Sequence, residues 1–174
     1  TGTVLDTSRL KYLLSRHTGV DPRNIHACVL GEHGDSSFVP WSTARICNVP
    51  LERYKDCVTD KSAIQADLNY AEIEEYMRTS GGKIIQRKGA TFYAIAISVC
   101  HICECIYENA NAVVALSTMM HGEYGIDDVC LSIPVVVNAH GCVNKVLPDM
   151  TEEEVEKLRR SADTLKDVIA QVQI

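Results

Sequence analysis

The stretch AVVALSTMMHGEYGIDDVCLSIPVVVNAHGCVNKV, residues 112–146, limits the fold more than any other. It holds three apolar runs: Ala112 to Met119, Val129 to Val137, and Cys142 to Val146. Valine- and isoleucine-rich runs bounded by glycine, asparagine and aspartate read as strands. The turn Asn138-Ala139-His140-Gly141 suits a hairpin between the last two, which places them antiparallel.

Helices are expected on either side. Thr3 to His17 reads as helical, with Thr3 and Asp6 forming a start like a capping box and Leu10, Leu13 and Leu14 an apolar stripe. Gly19, with Pro22 beyond it, is the stop. Ile25 to Leu30 and Trp41 to Val49 read as short strands, with Pro40 confined to the start of the second. Lys61 to Lys88 reads as helix through Ile64, Leu68, Ile73, Met77 and Ile84, with Gly81-Gly82 as the expected kink. Ala90 to Glu108 is apolar almost all round, which predicts a buried central helix too short to cross a bilayer. The closing helix opens on a Thr151–Glu154 capping box and presents Val155, Leu158, Ala162, Leu165, Ile169 and Val172 on one face. Helices grouped around strands joined by short turns define an α+β fold, an antiparallel sheet packed with helices.

The 174 residues suit a single domain, 1–174. At that length folding buries roughly 70% of the surface of the unfolded chain, enough for a real core. A formal charge of −6 without any long basic run speaks against a nucleic-acid surface. Eight cysteines without a signal-peptide pattern read as reduced thiols of a cytoplasmic protein, and Cys28, Cys100 and Cys130, set in apolar stretches, are expected to be packed. The chain opens at Thr1-Gly2-Thr3, without methionine and inside what reads as an element, so it is expected to be a piece of a longer protein.

The residues offer several chemical sites. His33 stands between Gly31-Glu32 and Gly34-Asp35 where an apolar run ends. A metal site, a catalytic base and an ordinary loop are all open readings; no second histidine or thiolate at ligand spacing supports the metal. A histidine acting as acid and base needs a carboxylate to fix its tautomer and hold its proton, and Asp6 is one candidate. Asp6 and Arg9, three apart on a helix, form either a surface ion pair of little worth or a pair aimed into a cleft. There the guanidinium would fork onto a substrate carboxylate. The cluster Cys100-His101-Ile102-Cys103-Glu104-Cys105 lacks the second half of a zinc set and the histidine of a haem attachment motif. No Gly-x-Gly-x-x-Gly or Walker-type turn is present, so nothing in the chain cradles a dinucleotide pyrophosphate.

TGTVLDTSRLKYLLS (1–15), NIHACVLGEHGDSSFVPWS (24–42) and KGATFYAIA (88–96), together with HGEYGIDDVCLSIPVVVN (121–138), resemble the C-terminal domain of the lactate/malate dehydrogenase family, and within it the bacterial L-lactate dehydrogenases. The resemblance runs the whole length of the chain in order. It implies that His33 is the proton donor and acceptor between pyruvate and L-lactate, and that Asp6 is the carboxylate that orients it. It further implies Arg9 as the clamp on the substrate carboxylate and Thr91 as the hydroxyl beside the substrate. Ile95 and Thr1 match contacts to the cofactor NAD, with threonine at position 1 where the family usually has serine. The nucleotide-binding half of such enzymes, and with it most of the NAD site, would lie upstream of Thr1. In members activated by fructose 1,6-bisphosphate, basic residues at the places of Lys11 and His26 grip the phosphates, with arginine more usual at the first. Such enzymes are typically homotetramers of the cytoplasm, serving pyruvate fermentation after glycolysis. The bracketing Gly31 and Gly34 are expected to let backbone and ligand approach closely. Other readings are a malate dehydrogenase domain, a non-catalytic folding or oligomerisation module, and a thiol- or metal-dependent protein.

Overall fold

The computed structural model describes residues 1–62, 64 and 68–172. Two three-stranded sheets carry the architecture, and every strand pair among the described residues is antiparallel. The larger joins β4 (Ala112–His121), β5 (Asp127–Asn138) and β6 (Gly141–Lys145) in chain order, the elements that the apolar runs predict. Its hairpin closes with Asn138 opposite Gly141, whose φ of 87° is one a side chain would resist.

The smaller sheet, β1 (Ile25–His26), β2 (Arg45–Ile46) and β3 (Val49–Pro50), is far shorter than the strands expected over 25–30 and 41–49. The reason is where the backbone finds its partners. Val29 donates its N–H to Thr7 Oγ1 at 3.0 Å, and its carbonyl accepts from Thr3 Oγ1 at 2.5 Å. Two threonine hydroxyls thus stand in for a neighbouring strand. Residues 41–43 turn in a short 3-10 helix, and Cys47 takes a φ of 51°, which breaks the second run.

Helix α1 (Val4–Thr18) stops at Gly19 in the left-handed conformation, as its sequence predicts. Its start differs. Thr3 makes no capping bond because its hydroxyl goes to Val29, and Asp6 turns to His33 instead. A single turn, α2 (Tyr54–Cys57), follows. Helix α3 (Tyr70–Lys88) begins at an Asn69 cap rather than at Lys61; residues 63 and 65–67 of the expected helix lie outside the described residues. It runs unbroken through Gly81-Gly82, because a glycine costs a helix about 1 kcal/mol without forbidding it. Helix α5 (Glu152–Gln171) opens on the expected Thr151–Glu154 capping box with both bonds made. Its Leu158 and Ala162 are buried, whereas Ile169 and Val172 at its far end are exposed.

Helix α4 (Phe92–Tyr107) departs furthest from its sequence. It is not a buried central helix: only Ser98 and Cys105 are buried, while Ile97 is 72% and Tyr107 92% exposed. One flank packs on α1 and β5, and most of the remaining surface is exposed. Cys100 and Cys130 are likewise exposed rather than packed; Cys28 is half-buried and Cys105 buried.

The interior forms two apolar clusters. One gathers β4, β5, Leu158 and Ala162 with Val4 and Leu30; the other gathers Leu10, Leu14, Ile73 and Met77 with Val29 and Val39. Helix α1 reaches into both, and the chain crosses from one to the other between Val29 and Leu30. The loop that carries His33 leaves from that crossing.

Candidate active site

The loop is cinched at its base. Leu30 and Phe38 exchange backbone bonds of 2.9 and 3.2 Å, and Gly31 and Ser132 of β5 exchange bonds of 3.0 and 2.9 Å. Thr3 and Thr7 tie the preceding Val29 to α1. Together these bonds fix residues 32–37 over the first turns of α1, where Asp6 stands.

His33 Nδ1 lies 2.6 Å from Asp6 Oδ2. Asp6 is only 7% exposed, and its Oδ1 accepts from Arg9 Nη1 at 3.2 Å. The pair three apart on the helix is therefore no surface ion pair; both side chains point into a cleft. The hydrogen bond to Asp6 holds the His33 imidazolium, raising its pKa above the ordinary histidine value; partial burial opposes it, the Asp6 charge adds to it, and Arg9 acts against it. An Nδ1–H given to a carboxylate leaves Nε2 as the nitrogen able to meet a ligand.

Asp6, Arg9, His33, Thr91 and Ile95 line one cavity of about 370 Å³. Thr91 sits at the N-cap of α4 and Ile95 one turn on, so α4 delivers both. Thr1 is exposed and lies outside this lining. Sequence reasoning missed the wall that α3 supplies: Arg78, Gly81, Gly82 and Ile85 follow the spacing of one helical face and all line the cavity. Arg78 is engaged there with Ser37 O and Glu74, each at 3.4 Å, and with Glu75 at 3.7 Å. The signal was present as a recurrence of three, four and seven, hidden because the glycine pair read as a break.

Lys11 and His26 come together elsewhere. They line a second cavity, about 480 Å³, with Cys28 and His101. Burial holds the Lys11 amine below the usual lysine value, opposed by Cys28, and pushes the Cys28 thiol up to about 12. The cysteine cluster of α4 is mostly exposed, with Cys105 Sγ 3.9 Å from His101 Nε2. Among the described residues no three histidine, cysteine or acidic side chains converge as a metal site. No helix among them is long and apolar enough to cross a membrane.

Gly34 lines the His33 cavity, and both glycines that bracket His33 also make room for the protein's own side chains. A Cβ on Gly31 would meet Ser161 Oγ of α5 at 2.6 Å, and one on Gly34 would collide with the Glu32 carboxylate.

An antiparallel sheet packed with helices thus carries an imidazole held by a buried aspartate beside an arginine, all facing one cavity. The chain belongs to the lactate/malate dehydrogenase family, matching its alpha/beta C-terminal domain over residues 3–173. It is similar to the L-lactate dehydrogenase of Acetivibrio thermocellus, 40% identical over 99% of this chain and 54% of that protein. Similarity to the L-lactate dehydrogenase of Thermoanaerobacterium saccharolyticum is 41% over 99% of this chain and 55% of that one. Among solved structures, an L-lactate dehydrogenase from Clostridium thermocellum superposes with a TM-score of 0.85 at 38% identity, covering 99% of this chain and 55% of that one. A lactate dehydrogenase from a deep-sea metagenome library gives 0.88 at 35% identity, covering 95% and 52%. The chain thus spans about half the length of the relatives it matches.

Proposed function

We propose that residues 1–174 form the catalytic domain of an NAD-dependent L-lactate dehydrogenase, working with a nucleotide-binding domain joined to it. The observation that carries this reading is the 2.6 Å contact between His33 Nδ1 and the buried Asp6, made in the same cavity as Arg9. Leu5, Ile85 and Ile95 give that cavity an apolar wall beside His33, which fits the nicotinamide end of the cofactor; the chain's lack of a glycine-rich phosphate turn leaves the rest of NAD to the joined domain.

The chemistry NAD supplies when bound is hydride transfer to and from the substrate carbon. Arg9 forks onto the pyruvate carboxylate and fixes the orientation of the keto group. His33, protonated at Nε2, gives that proton to the keto oxygen as the oxygen becomes a hydroxyl; in reverse it takes the hydroxyl proton of L-lactate. Asp6 keeps the ring in the tautomer that presents Nε2 and stabilises its charged form. Thr91 offers a hydroxyl beside the substrate, and Ile95 and Thr1 contact the cofactor. Arg78 is already engaged with Glu74, Glu75 and Ser37, which favours a substrate with one carboxylate and hence pyruvate over oxaloacetate. That Lys11 and His26 share one cavity supports a phosphate site for fructose 1,6-bisphosphate, tested by loss of activation in Lys11→Gln. The assembled enzyme is a homotetramer of the cytoplasm.

The test joins this chain to a nucleotide-binding domain, its own or that of the Acetivibrio thermocellus relative, and follows NADH oxidation by pyruvate. His33→Asn lowers turnover on the order of 10²- to 10⁴-fold while NADH binding persists. Near-normal turnover in that variant overturns the assignment. The isolated chain shows no turnover; robust turnover from it overturns the domain reading.

A further inference from the structure

Helix α5 lies far from the reacting groups in sequence, yet its Ser161, with no exposed surface, reaches the loop that carries His33. The Glu32 N–H donates to Ser161 Oγ at 2.7 Å. The hydroxyls of Ser161 and Ser36 lie 2.9 Å apart, and the Ser36 hydroxyl donates to the Glu32 carboxylate in a short bond. Each hydroxyl owns one hydrogen, and this settles the direction of every bond. Ser36 spends its hydrogen on Glu32, so Ser161 must be the donor to Ser36. The result is a closed ring: the Glu32 N–H to Ser161, Ser161 to Ser36, and Ser36 back to the side chain of Glu32. All three bonds run the same way round, the arrangement in which each polarises the next.

The two glycines belong to this ring. Gly31 is bare because Ser161 Oγ sits where its Cβ would be, and Gly34 because the Glu32 carboxylate sits against it. A free Glu32 carboxylate, one residue from His33, would compete with Asp6 for the imidazolium. The ring gives that carboxylate another partner and closes the loop onto α5.

We propose that Ser161 is a positioning residue for His33, closing a ring with Ser36 and Glu32 that holds the loop and parks the Glu32 carboxylate away from the imidazole. The consequence for the reaction rests on the function proposed above, whereas the ring itself does not. The charged groups that share the cavity with the imidazole are Asp6 and Arg9 from α1, Asp35 in its own loop and Arg78 from α3, and Glu32 is its neighbour in the chain. The ring restrains Glu32 and none of the cavity groups.

The experiment begins with the 174-residue chain, in which NMR titration of the His33 ring needs no activity. Ser161→Ala moves the His33 pKa upward, because the released Glu32 carboxylate favours the imidazolium. Ser36→Ala, which opens the ring from the loop side, moves it the same way even if Ser161→Ala fails to fold. In a Glu32→Gln background the same changes produce no shift. In the joined enzyme, Ser161→Ala lowers kcat roughly 10- to 100-fold with little change in the KM for pyruvate, because Arg9 is untouched. An unmoved titration in both serine variants, or a shift that persists with Glu32→Gln, overturns the proposal. A shift in the titration with no turnover in the unmutated joined enzyme would leave the ring standing and sink the dehydrogenase reading instead.

Discussion

Strand β5 and helix α4 look alike as compositions and end in opposite places. In β5, Val129, Leu131, Ile133, Val135 and Val137 are buried. In α4, Phe92, Tyr93, Ile97 and Tyr107 face outward although the helix carries no lysine or arginine. The difference is one of neighbours. The central strand is paired by β4 along one edge and by β6 over part of the other, and its odd-numbered side chains from Val129 to Val137 share one covered face, while Cys130 on the opposite face is exposed. A helix meets its neighbours along a single stripe, and the stripe of α4 packs on α1 and β5. Apolar content tells what tolerates burial; only the elements around it decide what is buried.

The largest expected effect breaks this comparison if it fails. Leu131→Ala on β5 removes a side chain with no exposed surface and costs about 2–5 kcal/mol, a transfer loss plus the cavity left behind. Ile97→Ala on α4 changes stability by less than about 0.5 kcal/mol. Urea unfolding of the 174-residue chain measures both. Equal losses would mean that α4 is packed in solution in a way the fold does not account for.

Polar groups follow the same rule, and here the sequence was readable only where partners are local. The Thr151–Glu154 box was legible because both partners lie within one turn, and β4, β5 and β6 because runs and turns alternate. Thr3 and Asp6 look like a similar box, but the long-range partners Val29 and His33 take them. For the same reason Ile25 to Leu30 looked like a strand: nothing in the sequence says that threonine hydroxyls will bond Val29. In the cavity, Asp6, Arg9, His33, Thr91 and Ile95 could be named in advance through the family resemblance. Arg78 could have been found by helical spacing. Ser161 could not, since its meeting with Glu32 exists only in the folded chain.

The capping box sharpens the contrast on the polar side. Glu154 is buried and accepts from Ser42 N at 3.0 Å and from Thr151 N at 3.0 Å, so it ties α5 to the segment after Pro40 as well as to its own first turn. Thr151→Ala removes only the hydroxyl cap and costs about 1 kcal/mol. Losing Glu154 would also strand Ser42, so Glu154→Ala exceeds it. Gly82→Ala goes the other way. A Cβ there meets nothing within 4 Å, so the substitution stabilises α3 by up to about 1 kcal/mol in thermal unfolding.

The smallest effect is a pH dependence that separates the His33 pair from both apolar regions. Asp6 raises the His33 pKa in the folded chain above the unfolded value of about 6.5. A group whose pKa is raised on folding stabilises the fold fully below the unfolded pKa, and that contribution is lost as pH climbs through the folded pKa. The 54% exposure of the His33 side chain screens the pair, so the stabilisation is slight. Compared with the parent, His33→Asn therefore loses a little stability on the acid side of that window and none on the alkaline side, where the imidazole is already neutral. Asp6→Asn also brings the His33 titration back toward the ordinary histidine value by NMR. Equal stability differences between parent and His33→Asn on both sides would mean that Asp6 holds the ring by shape alone, without favouring its charge.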